Sequence, residues 1–373
     1  DDDITLVLYG IKEVAKYFKN HPFAVETLRH IANGPITTFQ LPGKTRWQGT
    51  PNCAKAIDSN RRHLQTLTNN VDEYTAMLLG PGASLDAKEA WQRIYTILQQ
   101  PTFWSDLKSY LELMTPFLAV TLALETDRPS LSRVYGYWKM LFNTSFNTGL
   151  ISQAVINSKL EHRYRQAYHP LMVVAYLADP SVRDHKDYRF ILIDNDTLDS
   201  LRPWIYQHCY DILAIDKTAK FETLDTKERI ASTDKLMAEV VAGLTLLRSK
   251  QGPFSDGITW QAHHQMTPVQ WWYNFFKDSH PALTALALLA LSIAPTTGTA
   301  ERNWSAHGFI HNLRRNKLSH TTVEMLVYLY WNLRIQRKLA NSSEGLADDE
   351  GDQFDSPEEI IASVFTQDIG DEA

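Results

Sequence analysis

The sequence predicts an α+β chain that is predominantly helical. Apolar residues recur at helical spacing through most of residues 50–250 and again through 258–340. Two short runs instead read as strands: ITTFQLPG, from Ile36, is β-branched and bounded by Gly34-Pro35, and YRFILIDNDTLD, from Tyr188, holds a compact apolar stretch. Such strands are too few to form a sheet by themselves, so the expected sheet extends beyond this chain.

The helices follow in order. Ile4, Leu8, Ile11, Val14, Ala15 and Phe18 share one helical stripe, and a second stripe restarts after His21-Pro22 with Phe23, Val25 and Leu28. Thr50-Pro51 marks the next start, followed by Ile57, Leu64, Leu67 and Val71. The breaker GPGAS precedes a helix near Ala87 to Leu98, and another spans Phe103 to Leu124. Helical periodicity continues from Leu131 to Leu177, then from Arg202 to Leu213 and Arg229 to Leu247. The linker SKQGPFSDGIT closes this part. Thr267-Pro268 opens another helix, His280-Pro281 breaks it, and a very apolar helix ends at Pro295. Residues 300–311 form a further helix, and Thr321 to Leu339 an amphipathic one with Met325, Leu326, Leu329, Tyr330 and Leu333 along one side.

Charge is segregated. The formal net charge is -6, from 37 Lys and Arg against 43 Asp and Glu. Eleven of those acids, and no Lys or Arg, lie past Asn341, leaving 37 basic against 32 acidic residues in the body. The tail is expected to be disordered, with PEEIIASVF as its one helical segment. Two cysteines, Cys53 and Cys209, are too few for a disulfide framework or a Cys-rich zinc module. The most apolar run, ALTALALLALSIAP, has about 14 residues, short of the roughly 20 that span a bilayer. The opening DDDITLVLYG lacks the positive charge of a signal peptide and lacks Met, so a piece of a longer chain is expected.

The run QWWYNFFKDSHPALTALALLALSIAPTTGTAERNWSAHGFIHNLRRNKLSHTTVEMLVYLYWNLR, 270–334, resembles the C-terminal dimerisation region of hAT-type DNA transposases. It has the Trp-Trp pair, the apolar helix, a small-residue turn, the element Ala300-Glu301-Arg302-Asn303-Trp304-Ser305, and the later Arg315 and Leu318. Thr45-Arg46-Trp47, the run from Leu111 to Tyr135, and HPLMVVAYLADP at 169–180 are similar to further parts of that family. The resemblance implies an incomplete RNase H-like domain interrupted by a large all-helical insertion. Its divisions are a partial RNase H-like segment (1–50), the insertion (51–257), an RNase H-like and dimerisation region (258–340), and an acidic tail (341–373).

What it implies for chemistry is narrower. In the family three acids bind two divalent metals, and Glu301 stands where the third acid does; Mg²⁺ or Mn²⁺ is expected only for an intact parent enzyme whose upstream aspartates exist. One carboxylate cannot clamp two ions roughly 4 Å apart, so no cofactor is expected for this chain. The bland alternative makes Glu301 a first-turn acid favoured by the helix dipole. Trp47 would stack on an extruded base with Arg46 on a phosphate, or both would pack and pair locally. Arg302, Arg314, Arg315 and Lys317 would contact DNA, or form a solvated face. Trp271, Trp272, Phe275, Leu329 and Leu333 would join two subunits, or build an internal core. His263, His264, His280, His307 and His311 match no standard metal spacing.

The expected function is a nuclear, transposase-derived protein that dimerises and binds DNA without catalysis, with no membrane partner. Two alternatives stay open: the C-terminal part of an active metal-dependent transposase, and a helical protein-interaction module.

Overall fold

The computed structural model describes residues 2–41, 48–125, 130–146, 148–184, 192–215, 223–296, 298–311 and 318–343. Every regular element among them is helical. The N-terminal helices are α1 (Asp2–Asn20), α2 (Pro22–Ala32), α3 (Gly49–Ser59), α4 (Arg61–Asn69), α5 (Val71–Leu79), α6 (Leu85–Gln99) and α7 (Pro101–Leu124). Then come α8 (Leu131–Asn143), α9 (Gln153–Ala167), α10 (Pro170–Ala178), α11 (Asn195–Ile215) and α12 (Thr226–Ser249). The C-terminal set is α13 (Gly257–Gln261), α14 (Pro268–Phe276), α15 (Pro281–Leu291), α16 (Gly298–Ile310) and α17 (His320–Ser343).

The α+β expectation is therefore overturned: the described residues contain no strand, and no RNase H-like sheet is present among them. At residues 36–41 the reason is visible. Asn60, at the junction of α3 and α4, takes both backbone groups of Thr37: its Oδ1 accepts from Thr37 N at 3.2 Å, and its Nδ2 donates to Thr37 O at 2.8 Å. The Cys53 thiol donates to Gln40 O at 2.7 Å, and Phe39 stacks on Phe18 with ring centroids 4.9 Å apart. Backbone polarity that a neighbouring strand would satisfy is satisfied by side chains. In the second strand candidate, residues 188–191 lie outside the described residues, 192–194 are irregular, and 195–199 begin α11.

Helix boundaries obey local chemistry. Only His21 separates the end of α1 from Pro22, which starts α2, and its Nδ1 bonds Tyr17 O at 2.7 Å across the break. Asn33 closes α2 in the left-handed conformation, φ 51°, while Gly34 N donates back to Arg29 O. Asp225 and Glu228 form a reciprocal capping box on α12, and Thr267 and Gln270 form another on α14.

The described residues fall into two compact units, one within Asp1–Leu124 and Ser130–Ile293, the other within Glu125–Pro129 and Ala294–Ala373. In the first, α1 is the spine of an N-terminal core: Ile11, Val14, Ala15 and Phe18 are fully enclosed and meet Ile57, Leu64 and Leu107. A second core surrounds α10, whose residues Val173 to Ala178 are buried on every side, as expected of a helix apolar all round. α7 is long and apolar enough to cross a bilayer by length and composition alone. It also carries Asp106, Lys108 and Glu112, and it packs against α1, α3 and α8.

Buried polar groups in the second core have structural work. Asp179 accepts from Ser132 Oγ at 2.6 Å, Ser181 N at 2.9 Å and Ser181 Oγ at 2.6 Å, so its carboxylate caps a 3-10 turn. Cys53 and Cys209 are both free and buried, and burial pushes the Cys209 thiol up to about 11. Neither is poised as a nucleophile.

Candidate dimerisation interface

The residues that open the resembling region are placed by α14. Thr267 Oγ1 accepts from Gln270 N at 3.2 Å, and Gln270 Oε1 accepts from Thr267 N at 2.9 Å, fixing where the helix begins. That start sets the phase of the Trp pair. Trp271 and Trp272 are both fully buried. Trp272 Nε1 donates to Ala178 O at 2.7 Å, and Trp271 Nε1 donates to Thr259 O at 2.6 Å. Both indoles thus bury their faces and satisfy their one donor inside their own chain. Phe254, Phe276 and Leu283 complete the surroundings. As predicted contacts with a second subunit these two tryptophans do not reach the surface.

The outer side of α14 is different. Phe275 is 41% exposed, and Val269 and Tyr273 are also exposed. Lys277 Nζ lies over the Tyr273 ring at 4.4 Å and donates to its hydroxyl at 3.0 Å, an interaction that raises the lysine above its ordinary value.

In the second unit α16 and α17 form a helical pair. Val323, Leu326, Val327 and Tyr330 follow one stripe of α17; Val323 and Tyr330 are buried and the other two are half-buried. Ala306 packs against Tyr330, and Ile310 is fully enclosed. A second apolar stripe faces out: Met325 is 60% exposed, Tyr328 68% and Leu329 46%. Residues 325, 328 and 329 are spaced i, i+3 and i+4, so they stand on one side of the helix. The single amphipathic side expected from the sequence is therefore two sides. Leu326 and Tyr330 belong to the stripe that includes the buried residues, Met325 and Leu329 to the open one, and Leu333 is half-buried. The five span an arc of about 140° at about 100° per residue, and burial falls on the part that holds Leu326 and Tyr330. Tyr328 was missed, although its spacing from Met325 carries the signal.

Glu301 occupies the first turn of α16 and is exposed. Its carbonyl accepts from Ser305 Oγ at 2.9 Å. Trp304, one turn on, is 70% exposed, with its ring 5.8 Å from that of His307. Among the described residues no three His, Cys, Asp or Glu side chains gather at a point. Arg46, Trp47, Arg314, Arg315 and Lys317 lie outside the described residues, and of Arg302 only the helical backbone is described.

The family model of the hAT family C-terminal dimerisation region matches residues 253–333, from the turn before α13 to the middle of α17. Over those residues the chain is related to the hAT transposases. No curated protein matches it. Within this hAT-related chain the matched region has an inward part, built on Trp271 and Trp272, and an outward part, built on Met325, Tyr328 and Leu329.

Proposed function

We propose that this transposase-related chain self-associates through the outward apolar stripe of α17, binds DNA, and does not cut it unaided. The observation that carries the reading is the match to a dimerisation region in which α17 keeps a second, uncovered apolar face. Three large apolar side chains on one side of a helix lose hydrophobic free energy while they face water, and a second copy of the same helix removes them from it. Phe275, Tyr273 and Val269 on α14 offer further exposed apolar area. The occupant is a second copy of this chain, giving a homodimer or a higher homo-oligomer.

DNA binding rests on charge. Between Glu301 and Ala340 there are seven Lys and Arg against Glu301 and Glu324. Such a segment attracts phosphates with an affinity that falls steeply as salt rises. Arg46, Trp47, Arg302, Arg314, Arg315 and Lys317 are the residues assigned to it. A nuclear location and the lack of a membrane partner belong to the same reading. The non-catalytic part rests on ligand count: two-metal strand cleavage needs several carboxylate oxygens around both ions, and Glu301 supplies one residue. Mg²⁺ or Mn²⁺ belongs to an intact parent enzyme.

A mobility-shift titration of labelled duplex with the purified chain, at several salt concentrations, tests the DNA reading; binding that weakens with salt supports it, and no shift at low salt removes it. Incubation of the same duplex with Mg²⁺ or Mn²⁺ tests the catalytic part. Nicking that disappears in Glu301→Gln would replace the non-catalytic reading with that of a working transposase.

A further inference from the structure

At the junction of α7, α8 and α9 the first unit is not filled. Leu113, Leu141, Phe146, Ile156 and Leu160 form a small buried cluster there, ringed by partly buried residues such as Met114, Phe117 and Trp138. Between these helices lies a cavity of about 540 Å³. Protein interiors are close-packed and contain few voids larger than a water molecule. A void of this size falls instead in the range of ligand sites, about 300 to 1,000 Å³.

The local sequence explains the gap. α9 is fastened at its N-terminus: Ser152 Oγ accepts from Val155 N, and Gln153 Oε1 accepts from Phe146 N at 2.7 Å. Gln153 Nε2 donates to Thr144 O at 3.3 Å and to Asn157 Oδ1 at 2.8 Å. Beyond that bracket α9 buries only Ile156 and Leu160. The other α9 residues that line the cavity, Val155, Lys159 and Arg163, are exposed, so α9 closes it only in part.

The walls are apolar and the groove between them opens to solvent, so an apolar guest laid along it would remove that surface from water. The solvent edge has the opposite character. Lys159 and Arg163 line it, four residues apart on α9 and both exposed. Arg163 Nη1 donates to Gln166 Oε1 at 3.2 Å, and Lys159 has no ion-pair partner among the described residues. Glu161, the nearest acid on the helix, is engaged by Arg165 at 3.6 Å. Long basic side chains of this kind lay their stems along apolar surface and hold the charge at the rim.

We propose that this cavity binds a single-chain amphiphile with an anionic head, a long-chain carboxylate, its tail among α7, α8 and α9 and its head between Lys159 and Arg163. The site is separate from the dimerisation and DNA readings and stands or falls without them.

Isothermal titration of the full chain with dodecanoate, and with dodecanol as the uncharged comparison, tests it. Saturable binding of dodecanoate is expected. The double variant Lys159→Glu, Arg163→Glu should weaken dodecanoate by about tenfold or more and leave dodecanol unchanged. Val155→Trp places a large ring at an exposed lining position and should abolish both. Because all three positions lie at the surface, far-ultraviolet circular dichroism should match the parent chain; Lys159→Gln, Arg163→Gln gives a milder charge test should it not. No binding of dodecanoate, equal affinity for dodecanol, or binding untouched by Val155→Trp overturns the proposal. Tighter displacement of dodecanoate by an acidic amphipathic peptide overturns it too, and assigns the groove to a partner helix.

Discussion

In α14 and α15 both tryptophans point inward: Trp271, Trp272, Phe276, Leu283 and Leu286 all belong to the core around α10. In α17 the apolar side chains are divided, with Val323 and Tyr330 buried and Met325, Tyr328 and Leu329 open to solvent. Both stretches belong to one matched family region, yet apolar richness means different things in them. Around α14 it fills the core, and on α17 it leaves apolar surface open to solvent. Around α14 both indole nitrogens also find acceptors within the chain, at Thr259 O and Ala178 O.

The comparison breaks most sharply at Trp272. Trp272→Ala removes a fully enclosed indole and should cost about 3 to 5 kcal/mol, read by urea denaturation. A loss well under 1 kcal/mol, accompanied by dissociation, would return the Trp pair to the interface. Close approach within the same core gives a second test. A Cβ at Gly243 of α12 would lie 2.6 Å from Leu283 Cδ2 on α15. Gly243→Ala should therefore destabilise by about 1 kcal/mol, overpacking of about 1 to 3 kcal/mol being offset by the better helix preference of alanine. A stabilised Gly243→Ala would show that α12 and α15 are less tightly apposed.

Smaller effects sharpen the picture. Thr267→Ala opens the capping box that sets the phase of α14 and should cost about 1 kcal/mol. It should do so without changing oligomeric state, since the α17 stripe is untouched. His208 gives a pH dependence. Its ring stacks on Trp204 at 5.3 Å, and burial lowers its pKa below the ordinary histidine value. With the folded pKa below the unfolded one, the unfolded chain binds more protons between the two values. Stability should thus be full above about pH 6.5 and decline as pH falls through the folded value. Thermal melts of His208→Gln should show less of that decline; an identical pH profile would remove His208 as its source.

Much of the helical architecture is legible in the sequence because helix starts are local. Thr267-Pro268, Thr50-Pro51 and His21-Pro22 each announce a boundary within a few residues, and α14, α3 and α2 begin there. The strand expected at Ile36 failed for a non-local reason. Asn60, at the junction of α3 and α4, and Cys53 of α3 meet its backbone, and no short window shows that. The RNase H-like sheet entered through the resemblance, and none of the described residues supplies it.

The candidate interface was half readable. Composition revealed an apolar block too rich for a thin layer, and Leu329 and Phe275 do stand exposed. Composition could not show that Trp272 would find Ala178, 94 residues earlier in the chain. Nor could it show which of two stripes on α17 would be covered, because that depends on where Ala306 and Ile310 of α16 lie.

Sedimentation equilibrium of the full chain against its Met325→Glu, Leu329→Glu variant is the most direct measurement. Charges placed on an exposed stripe leave the monomer fold intact, so a self-associated parent and a folded, monomeric variant are expected. A parent that is monomeric throughout, or a variant that associates as strongly as the parent, would contradict association through α17.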